Sequence, residues 1–320
     1  MEPIRDQYGR TFRTLRVSLL SQCNFGCVYC VAGENELREV NNAGRQEMLP
    51  TARLLEMIGR LHEQLVLETI RLTGGEPLLY PGLTTLVAGI HALGIEKIKL
   101  TTNGALLDRK AAELTKAGLR SVNVSLDAVE EGAFARMSRR NALERVVAGI
   151  DAALAAGLTV KLNAVIMKGI NEDQILPLLD FARQRGITVR FLEVMAMGHL
   201  FHHSAPYLFA QREILGVIGE HYALNALERK PSSTARYWET DAGHRFGIIA
   251  NESEPFCGDC DRLRLDSGGN IYGCLSSNHP IALDPKDDTG QLTEKLRQAL
   301  GQKQAVKFTG SELSMLKIGG

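Results

Sequence analysis

The chain of 320 residues contains 37 Lys and Arg against 37 Asp and Glu, so its formal net charge is zero. This balance excludes the broad positive surface of a general nucleic-acid-binding protein. Hydrophobic residues make up 44% of the chain and charged residues 23%, which is typical of a globular protein and not of a disordered or fibrous one.

The amino-terminal segment MEPIRDQYGR is charged and lacks the apolar core of a secretory signal. No apolar run further along the chain approaches the ~18 residues of a membrane-spanning helix. We therefore expect a cytoplasmic protein that does not bind a membrane. In a reducing compartment, clustered cysteines more often bind metal or carry out redox chemistry than form disulfides.

Short β-rich runs alternate with amphipathic helical segments from residue 15 to about residue 195. The predicted strands are 15–20, 69–74, 97–103, 121–126, 159–166 and 188–194. This alternation predicts right-handed βαβ crossovers and an α/β fold whose parallel sheet is open or curled towards a barrel. Beyond residue 198, a predicted helix at about 211–222, short β-like runs and a helix near 291–300 indicate a smaller α+β unit. We expect domains at 1–197 and 198–320.

Polar and glycine-containing segments follow several predicted strands. These segments are Thr73-Gly74-Gly75-Glu76, Thr101-Thr102-Asn103-Gly104, Ser125-Leu126-Asp127 and Glu193. Active sites of parallel α/β sheets lie at the carboxyl ends of the strands. The segments are therefore candidates for one site.

The first cysteine triplet, Cys23, Cys27 and Cys30, follows the first predicted strand with the spacing CxxxCxxC. Three thiolates at this spacing can hold an iron–sulfur cluster, and a four-iron cluster would keep one iron open for a small molecule. The alternative is a zinc site completed by a distant histidine. The run GGEP after the second strand favours the cluster, because a zinc site would not require it.

The second triplet, Cys257, Cys260 and Cys274, has the spacing CxxC, thirteen residues and Cys. It holds either a zinc ion, with His244 or His279 as the fourth ligand, or a second cluster with its own open iron. The two triplets account for all six cysteines of the chain.

Arginines accompany the second triplet and the predicted strands. A strand period of two places Arg262 and Arg264 on one face, where they form an anion site or, alternatively, protect an exposed edge strand. Further strand arginines are Arg16, Arg71 and Arg190. We expect the arginines to converge at one barrel mouth and bind a phosphorylated small molecule, unless they pair with carboxylates such as Glu68 or Glu193.

Taken together, these motifs resemble the GTP 3′,8-cyclase (MoaA) family of the radical S-adenosylmethionine (SAM) superfamily. CNFGCVYC, with Tyr29 before its last cysteine, and GGEP are typical of the superfamily. The second triplet with its RLR segment and the final Gly319-Gly320 are typical of the family. The resemblance covers nearly the whole chain and implies an incomplete (β/α)6 TIM-like barrel with a smaller C-terminal α+β domain.

The resemblance also implies the chemistry. The family carries out the first step of molybdenum-cofactor biosynthesis, in which a lyase cyclises GTP to (8S)-3′,8-cyclo-7,8-dihydroguanosine 5′-triphosphate. The implied cofactors are SAM and two [4Fe–4S] clusters, each held by one cysteine triplet. An electron donor such as flavodoxin or ferredoxin is the implied partner, with no nucleic acid, and a homodimer is the assembly considered.

Individual residues match positions of known role in the family. Those implied to bind SAM are Tyr29, Gly74, Gly75, Glu76, Ser125 and Met195. Those implied to bind the substrate are Arg16, Arg71, Thr101, Lys161, Arg190, Arg262 and Arg264. Those implied to act in catalysis are Arg262, Arg264, Gly319 and Gly320.

The chain departs from the family pattern at Thr69, where many members carry Lys, and at Gln22 and Gly26, where basic residues are frequent. Thr69 and the unusual segment 198–209 motivate an alternative, a related two-cluster enzyme that acts on another nucleotide or a peptide. A zinc-stabilised binding protein is the alternative from a different class. We assign the histidines at 199, 202 and 203 to a lid or surface role.

Overall fold

The structure is a computed structural model that describes residues 4–43 and 48–319. Its strands are β1 (Thr14–Ser18), β2 (Thr69–Thr73), β3 (Lys97–Thr102), β4 (Ser121–Ser125), β5 (Thr159–Ile166), β6 (Thr188–Glu193), β7 (Leu224–Ala226), β8 (Arg236–Thr240), β9 (Arg245–Ile249), β10 (Arg262–Leu265), β11 (Asn270–Tyr272) and β12 (Ile281–Ala282). Its helices are α1 (Glu34–Ala43), α2 (Thr51–Leu65), α3 (Leu83–Ala92), α4 (Ala111–Ala117), α5 (Glu131–Ser138), α6 (Leu143–Ala155), α7 (Ile175–Gln184), α8 (Gln211–Gly219), α9 (Thr289–Gly301) and α10 (Met315–Ile318).

Strands β1 to β6 are parallel neighbours in chain order, as the βα alternation predicts. Each begins and ends within two residues of its predicted bounds. The result is the expected incomplete α/β barrel. In the part of the chain that the structure describes, no helix has both the length and the hydropathy to cross a membrane.

The two faces of the barrel strands differ in polarity, and β5 shows the pattern clearly. Val160, Leu162 and Ala164 are buried on the outer face, in the main hydrophobic core of the sheet and its helices. Lys161 and Asn163 alternate with them and are only partly buried on the inner face. Because successive side chains of a strand point to opposite faces, the barrel has an apolar outside and a polar inside. A polar interior is where a charged ligand can bind.

The C-terminal strands extend the same sheet at both of its edges. The order is β12-β11-β10-β1-β2-β3-β4-β5-β6-β9-β8-β7. Strand β10 pairs in parallel with β1, and β9 pairs in parallel with β6. The β-like runs predicted beyond residue 198 are therefore strands, but they flank the barrel on two sides. These long-range pairings bring residues 257–274 beside the first strand.

Candidate active site

Two adjoining cavities lie within the curved sheet. We call the first the carboxyl-end cavity, because it is lined by the ends of β2, β3 and β4 and by the first cysteine triplet. We call the second the arginine cavity, because it is lined by arginines of four strands and by the second triplet. Thr101 and Met315 line both cavities. A small molecule in one cavity would therefore lie close to a molecule in the other.

Five of the predicted site residues other than cysteines line the carboxyl-end cavity. The carboxyl-end cavity is lined by Tyr29, Gly74, Gly75, Thr101 and Ser125, together with Cys23, Cys27 and Cys30. The resemblance implies that Met195 contacts SAM, but Met195 lines the arginine cavity and not the carboxyl-end cavity. The residue follows β6 by two positions and reaches into the space between the strands from there.

The glycines of GGEP hold the end of β2 against the cysteine loop. A Cβ atom at Gly75 would lie 2.2 Å from the carbonyl oxygen of Gln22, and one at Gly74 would lie 2.5 Å from that of Leu20. The Gly75 amide donates to the Leu20 carbonyl at 2.7 Å. No side chain fits at these positions, so the two glycines place the loop that carries the first triplet next to the strand ends.

Glu76 supports the carboxyl-end cavity from beneath and does not line it. Its carboxylate accepts hydrogen bonds from the Leu78 amide at 2.9 Å, the Thr102 hydroxyl at 2.6 Å and the Asn103 amide at 2.7 Å. Burial raises the pKa of Glu76 to about 7 in spite of these bonds. The resemblance implies that Glu76 binds SAM, but these bonds commit its carboxylate to partners within the protein. The side chain is fully buried, and it ties together the segments after β2 and β3.

The thiols of the first triplet are held in a buried, sulfur-rich setting. Burial, with the negative charge of Glu76, raises the pKa of Cys23 to about 12, and burial raises those of Cys27 and Cys30 as well. All six cysteines are free. A set of three cysteines facing one cavity fits an iron–sulfur cluster, whose positive irons stabilise the thiolates. Among the described residues, no group of His, Cys, Asp or Glu is arranged around a single metal ion.

The arginine cavity contains the predicted cationic cluster. Its arginines are Arg16, Arg71, Arg190, Arg262 and Arg264. In the register of the sheet, Arg264 lies opposite Arg16, and Arg16 lies opposite Arg71, so three guanidinium groups form one cross-strand row. Like charges that face each other across strands destabilise a sheet. The row therefore favours binding of an anion between them.

The second triplet lies at the end of the barrel opposite the first. Cys260 precedes β10 by two residues, and the first residue of β10 pairs with Thr14, the first residue of β1. Cys274 follows β11, which runs antiparallel to β10 and so returns to the same end. Cys23 lies beyond the carboxyl end of β1. The parallel pairing of β10 with β1 thus places the two triplets at opposite ends of the interior, while the five arginines converge at one cavity as expected.

The cavity arginines lack carboxylate partners within residues 4–43 and 48–319. Glu68 instead pairs with Arg13 at 2.6 Å and with Lys97 at 3.3 Å. Glu193 is buried and accepts hydrogen bonds from backbone amides of residues 211, 252 and 253. The alternative that Glu68 or Glu193 neutralises the cavity arginines is therefore wrong.

The guanidinium groups of the arginine cavity are buried close to one another, and both burial and mutual repulsion disfavour their positive charge. Burial, with the neighbouring Arg264 and Arg71, holds the pKa of Arg16 well below its usual range. Burial, with Arg190 and Arg262, lowers the pKa of Arg71 to about 9. The Nε atoms of Arg16 and Arg190 are buried without a hydrogen-bond partner. A polyanion with many acceptor oxygens would satisfy both the charges and the donors.

Gly319 brings the C-terminal segment into the interior. Its carbonyl accepts a hydrogen bond from Arg264, and its φ angle is 73°. A Cβ atom there would lie 2.4 Å from Thr73 Cγ2, so only glycine fits. Gly320 lies outside the described residues.

Three other predicted residues are placed away from the cavities. Lys161 is on the inner face of β5 but does not line the arginine cavity; its Nζ lies 3.3 Å from the Tyr237 hydroxyl. His244 precedes β9 and packs against Tyr222 at 5.1 Å, and His279 is exposed. Neither histidine lines the cavity of the second triplet, so neither completes a zinc site there.

The sequence analysis missed Lys303, which follows α9 and lines the arginine cavity. Its Nζ lies 3.5 Å from Cys260 Sγ and also donates to the Arg262 carbonyl. A lysine in a polar segment carries no local signal of such a role. His199, predicted to lie in a lid or on the surface, contacts the cysteine loop, with Nε2 3.0 Å from the Val28 carbonyl.

Cys260 should be the most reactive thiol of the cluster-free protein. Burial alone would raise its pKa, but Arg262 and Lys303 lower the pKa of Cys260 to about 7. We expect alkylation by iodoacetamide at pH 7.5 to label Cys260 before Cys257, whose pKa burial raises to about 11. Lys303→Met should slow the labelling of Cys260. Peptide mapping by mass spectrometry checks this, and equal labelling of the two thiols would contradict it.

Comparisons with known proteins agree with this site. Residues 17–182 match the family model described as Radical SAM superfamily, and residues 187–310 match that described as Molybdenum Cofactor Synthesis C. GTP 3′,8-cyclase of Staphylococcus epidermidis is 39% identical over 278 residues, 86% of this chain and 82% of the relative. GTP 3′,8-cyclase of Helicobacter pylori is 36% identical over 304 residues, 93% of this chain and 92% of the relative.

A solved structure supports the fold. SuiB of Streptococcus suis, determined with bound S-adenosylmethionine, matches with a TM-score of 0.63 at 14% sequence identity. The match covers 88% of this chain and 66% of SuiB. At this identity the likeness establishes the shared barrel architecture.

Proposed function

Because the chain belongs to the radical SAM superfamily and, within it, to the GTP 3′,8-cyclase family, we propose that it cyclises GTP in molybdenum-cofactor biosynthesis. The product is (8S)-3′,8-cyclo-7,8-dihydroguanosine 5′-triphosphate. The observation that carries the proposal is the arginine cavity, a cationic interior that lacks carboxylate partners among the described residues and shares Thr101 and Met315 with the carboxyl-end cavity. Together they provide one place for a nucleoside triphosphate and an adjoining one for SAM.

The carboxyl-end cavity serves the radical-forming step. Cys23, Cys27 and Cys30 would hold a [4Fe–4S] cluster, which would supply the electron for the reductive cleavage of SAM to methionine and a 5′-deoxyadenosyl radical. Tyr29 and Ser125 line the same cavity and contact the cosubstrate. The Tyr29 hydroxyl donates to Asp127 at 2.9 Å, which fixes the aromatic ring next to the cysteine loop. These residues would hold SAM beside Thr101, which lines both this cavity and the arginine cavity.

The arginine cavity holds the substrate. Arg16 and Arg71 bind the phosphates, which supply the anionic partners that the guanidinium groups lack. Arg264 positions the C-terminal segment through its bond to the Gly319 carbonyl, so that Gly319 closes the space beside the reacting ribose. The closed cavity keeps water away from the reacting carbon atoms.

We further propose that the second triplet holds a second [4Fe–4S] cluster. Cys257, Cys260 and Cys274 face the same cavity as the arginines, and three ligands would leave one iron for the purine. The low pKa of Cys260, caused by Arg262 and Lys303 against the effect of burial, favours the thiolate that a cluster requires.

The organisation of the chain and its cellular setting are also proposals. The domain division at 1–197 and 198–320 is supported by the two family models, which meet between residues 182 and 187, close to β6. We propose a cytoplasmic enzyme that receives its electron from a flavodoxin or a ferredoxin and forms a homodimer. Reductive cleavage of SAM needs such a one-electron donor.

An anaerobic assay tests the function. The protein, reconstituted with iron and sulfide, is incubated with SAM, dithionite and GTP, with ATP in place of GTP as control. We expect a cyclised nucleotide of the mass of GTP, detected by liquid chromatography and mass spectrometry, with GTP and not with ATP, and 5′-deoxyadenosine above the level that forms without GTP. Deoxyadenosine without a cyclised nucleotide would contradict the proposed substrate. A protein that takes up zinc but no iron would contradict the reaction class.

A further inference from the structure

Lys99 lies on the inner face of β3, beneath the arginine cavity. In the register of the sheet it is opposite Arg71, which lines that cavity. Thr101 follows Lys99 by two residues, so it shares the same face, and it also lines the cavity. Lys99 is thus one layer of the barrel interior closer to the amino ends of the strands than Thr101.

Lys99 is surrounded by positive charge. Burial, together with Arg71, Lys161 and Lys97, lowers the pKa of Lys99 to about 8. No ion pair with Lys99 occurs in the described ranges 4–43 and 48–319. A half-buried ammonium opposite a guanidinium destabilises the ligand-free sheet.

Lys97 on the same strand shows the opposite situation. It is exposed, and its Nζ lies 3.3 Å from Glu68 Oε2 in a surface ion pair. Such a pair contributes little to stability and occupies the ammonium outside the cavity. Two lysines separated by one residue therefore differ in the partner they have. Lys97 has its carboxylate, whereas Lys99 has none among the described residues.

The neighbouring strand carries no cation at the level below Arg71. Thr69 occupies that position and lies opposite Lys97 in the register. Lys161, on the far side of the interior, is directed to Tyr237, with Nζ 5.4 Å from the ring centroid. Lys99 is therefore the ammonium adjacent to Arg71 that extends the cationic row of Arg264, Arg16 and Arg71 to a fourth strand.

We propose that Lys99 binds the terminal phosphates of the nucleoside triphosphate and sets the preference of the site for a triphosphate over a monophosphate. Strand β2 offers only Thr69 below Arg71, so the cation next to Arg71 comes from Lys99 on the adjacent strand. The inference rests on the proposed function, because it assumes that the arginine cavity holds a nucleotide. Each phosphate oxygen that Lys99 contacts forms a charge-assisted hydrogen bond.

Binding of nucleotides of different phosphate number tests the proposal. Reconstituted wild-type enzyme, Lys99→Met and the control Lys97→Met are titrated anaerobically with GTP, GDP and GMP by calorimetry. We expect Lys99→Met to raise the Kd for GTP roughly ten- to a hundredfold and the Kd for GMP less than about threefold. Lys97→Met should leave both values within about twofold. An equal loss for GTP and GMP, or no loss, would overturn the role of Lys99.

A rescue variant separates a binding role from a structural one. Thr69→Lys introduced into Lys99→Met restores a cation one strand away, and we expect it to recover most of the lost GTP affinity. Failure of this rescue, with thermal unfolding unchanged from wild type, would overturn the proposed role of Lys99 in binding phosphate. If wild-type enzyme binds none of the three nucleotides, the proposed function itself fails. If it binds them and Lys99→Met behaves as Lys97→Met, only the inference fails.

Discussion

Cys27→Ser should abolish the formation of 5′-deoxyadenosine from SAM, whereas Cys260→Ser should abolish nucleotide cyclisation and leave SAM cleavage in place. The reason is the separation of the triplets at opposite ends of the barrel interior. Loss of a ligand at the carboxyl-end cavity removes the cluster that reduces SAM. Loss of a ligand at the other end disturbs only the substrate side. High-performance liquid chromatography of 5′-deoxyadenosine and of the cyclised nucleotide measures both activities.

Iron and sulfide analysis serves as the control for these variants. Each should lose about half of the bound iron, because each retains one intact triplet. Spectroscopic and unfolding measurements should show that both variants still fold, since Cys27 and Cys260 are only partly buried and serine is close to cysteine in size. Loss of SAM cleavage in Cys260→Ser would contradict the assignment of separate tasks to the two triplets.

Arg16→Met should make the substrate-free enzyme more stable and nearly inactive. Arg16 is buried with an unpartnered Nε atom and lies between Arg264 and Arg71 in the sheet. An apolar side chain of similar length removes the repulsion and the cost of burying the charge, which we expect to raise the free energy of unfolding by about 1–3 kcal/mol. The same change removes a phosphate partner, so kcat/KM for GTP should fall at least about a hundredfold.

Arg13→Met provides the matched control on the same segment of chain. Arg13 is exposed and pairs with Glu68 at 2.6 Å, so its replacement should change stability by less than about 1 kcal/mol and leave activity near the wild-type value. Thermal unfolding without GTP and steady-state assays measure both effects. A less stable Arg16→Met protein would show that Arg16 serves the fold, and this would contradict its assignment to the substrate.

Local patterns in the sequence were sufficient for the barrel strands and for the first triplet. The alternation of apolar and polar residues from Val160 to Asn163 predicts both the strand and its inner face, because successive side chains of a strand point to opposite faces. The loop with Cys23 follows β1 directly, so its place at the carboxyl end follows from the order of elements. These features depend on neighbours in the chain.

The rest of the site depends on pairings between distant residues. The register of Arg264 with Arg16 joins segments that are far apart in the chain, and no local pattern specifies it. The sequence identified the cationic residues but did not specify at which end of the interior they lie. Glu76 was misread for a related reason, because its hydrogen bond to Thr102 comes from a different strand end. Lys303 approaches Cys260 only through the packing of α9.

The position of β10 beside β1 has a consequence for synthesis of the protein. Strand β1 is synthesised long before β10, so the edge of β1 that pairs with β10 stays unpaired until residues 262–265 leave the ribosome. An unpaired strand edge readily pairs with another chain. Between the synthesis of β1 and that of β10, the growing chain therefore presents an open strand edge to other chains.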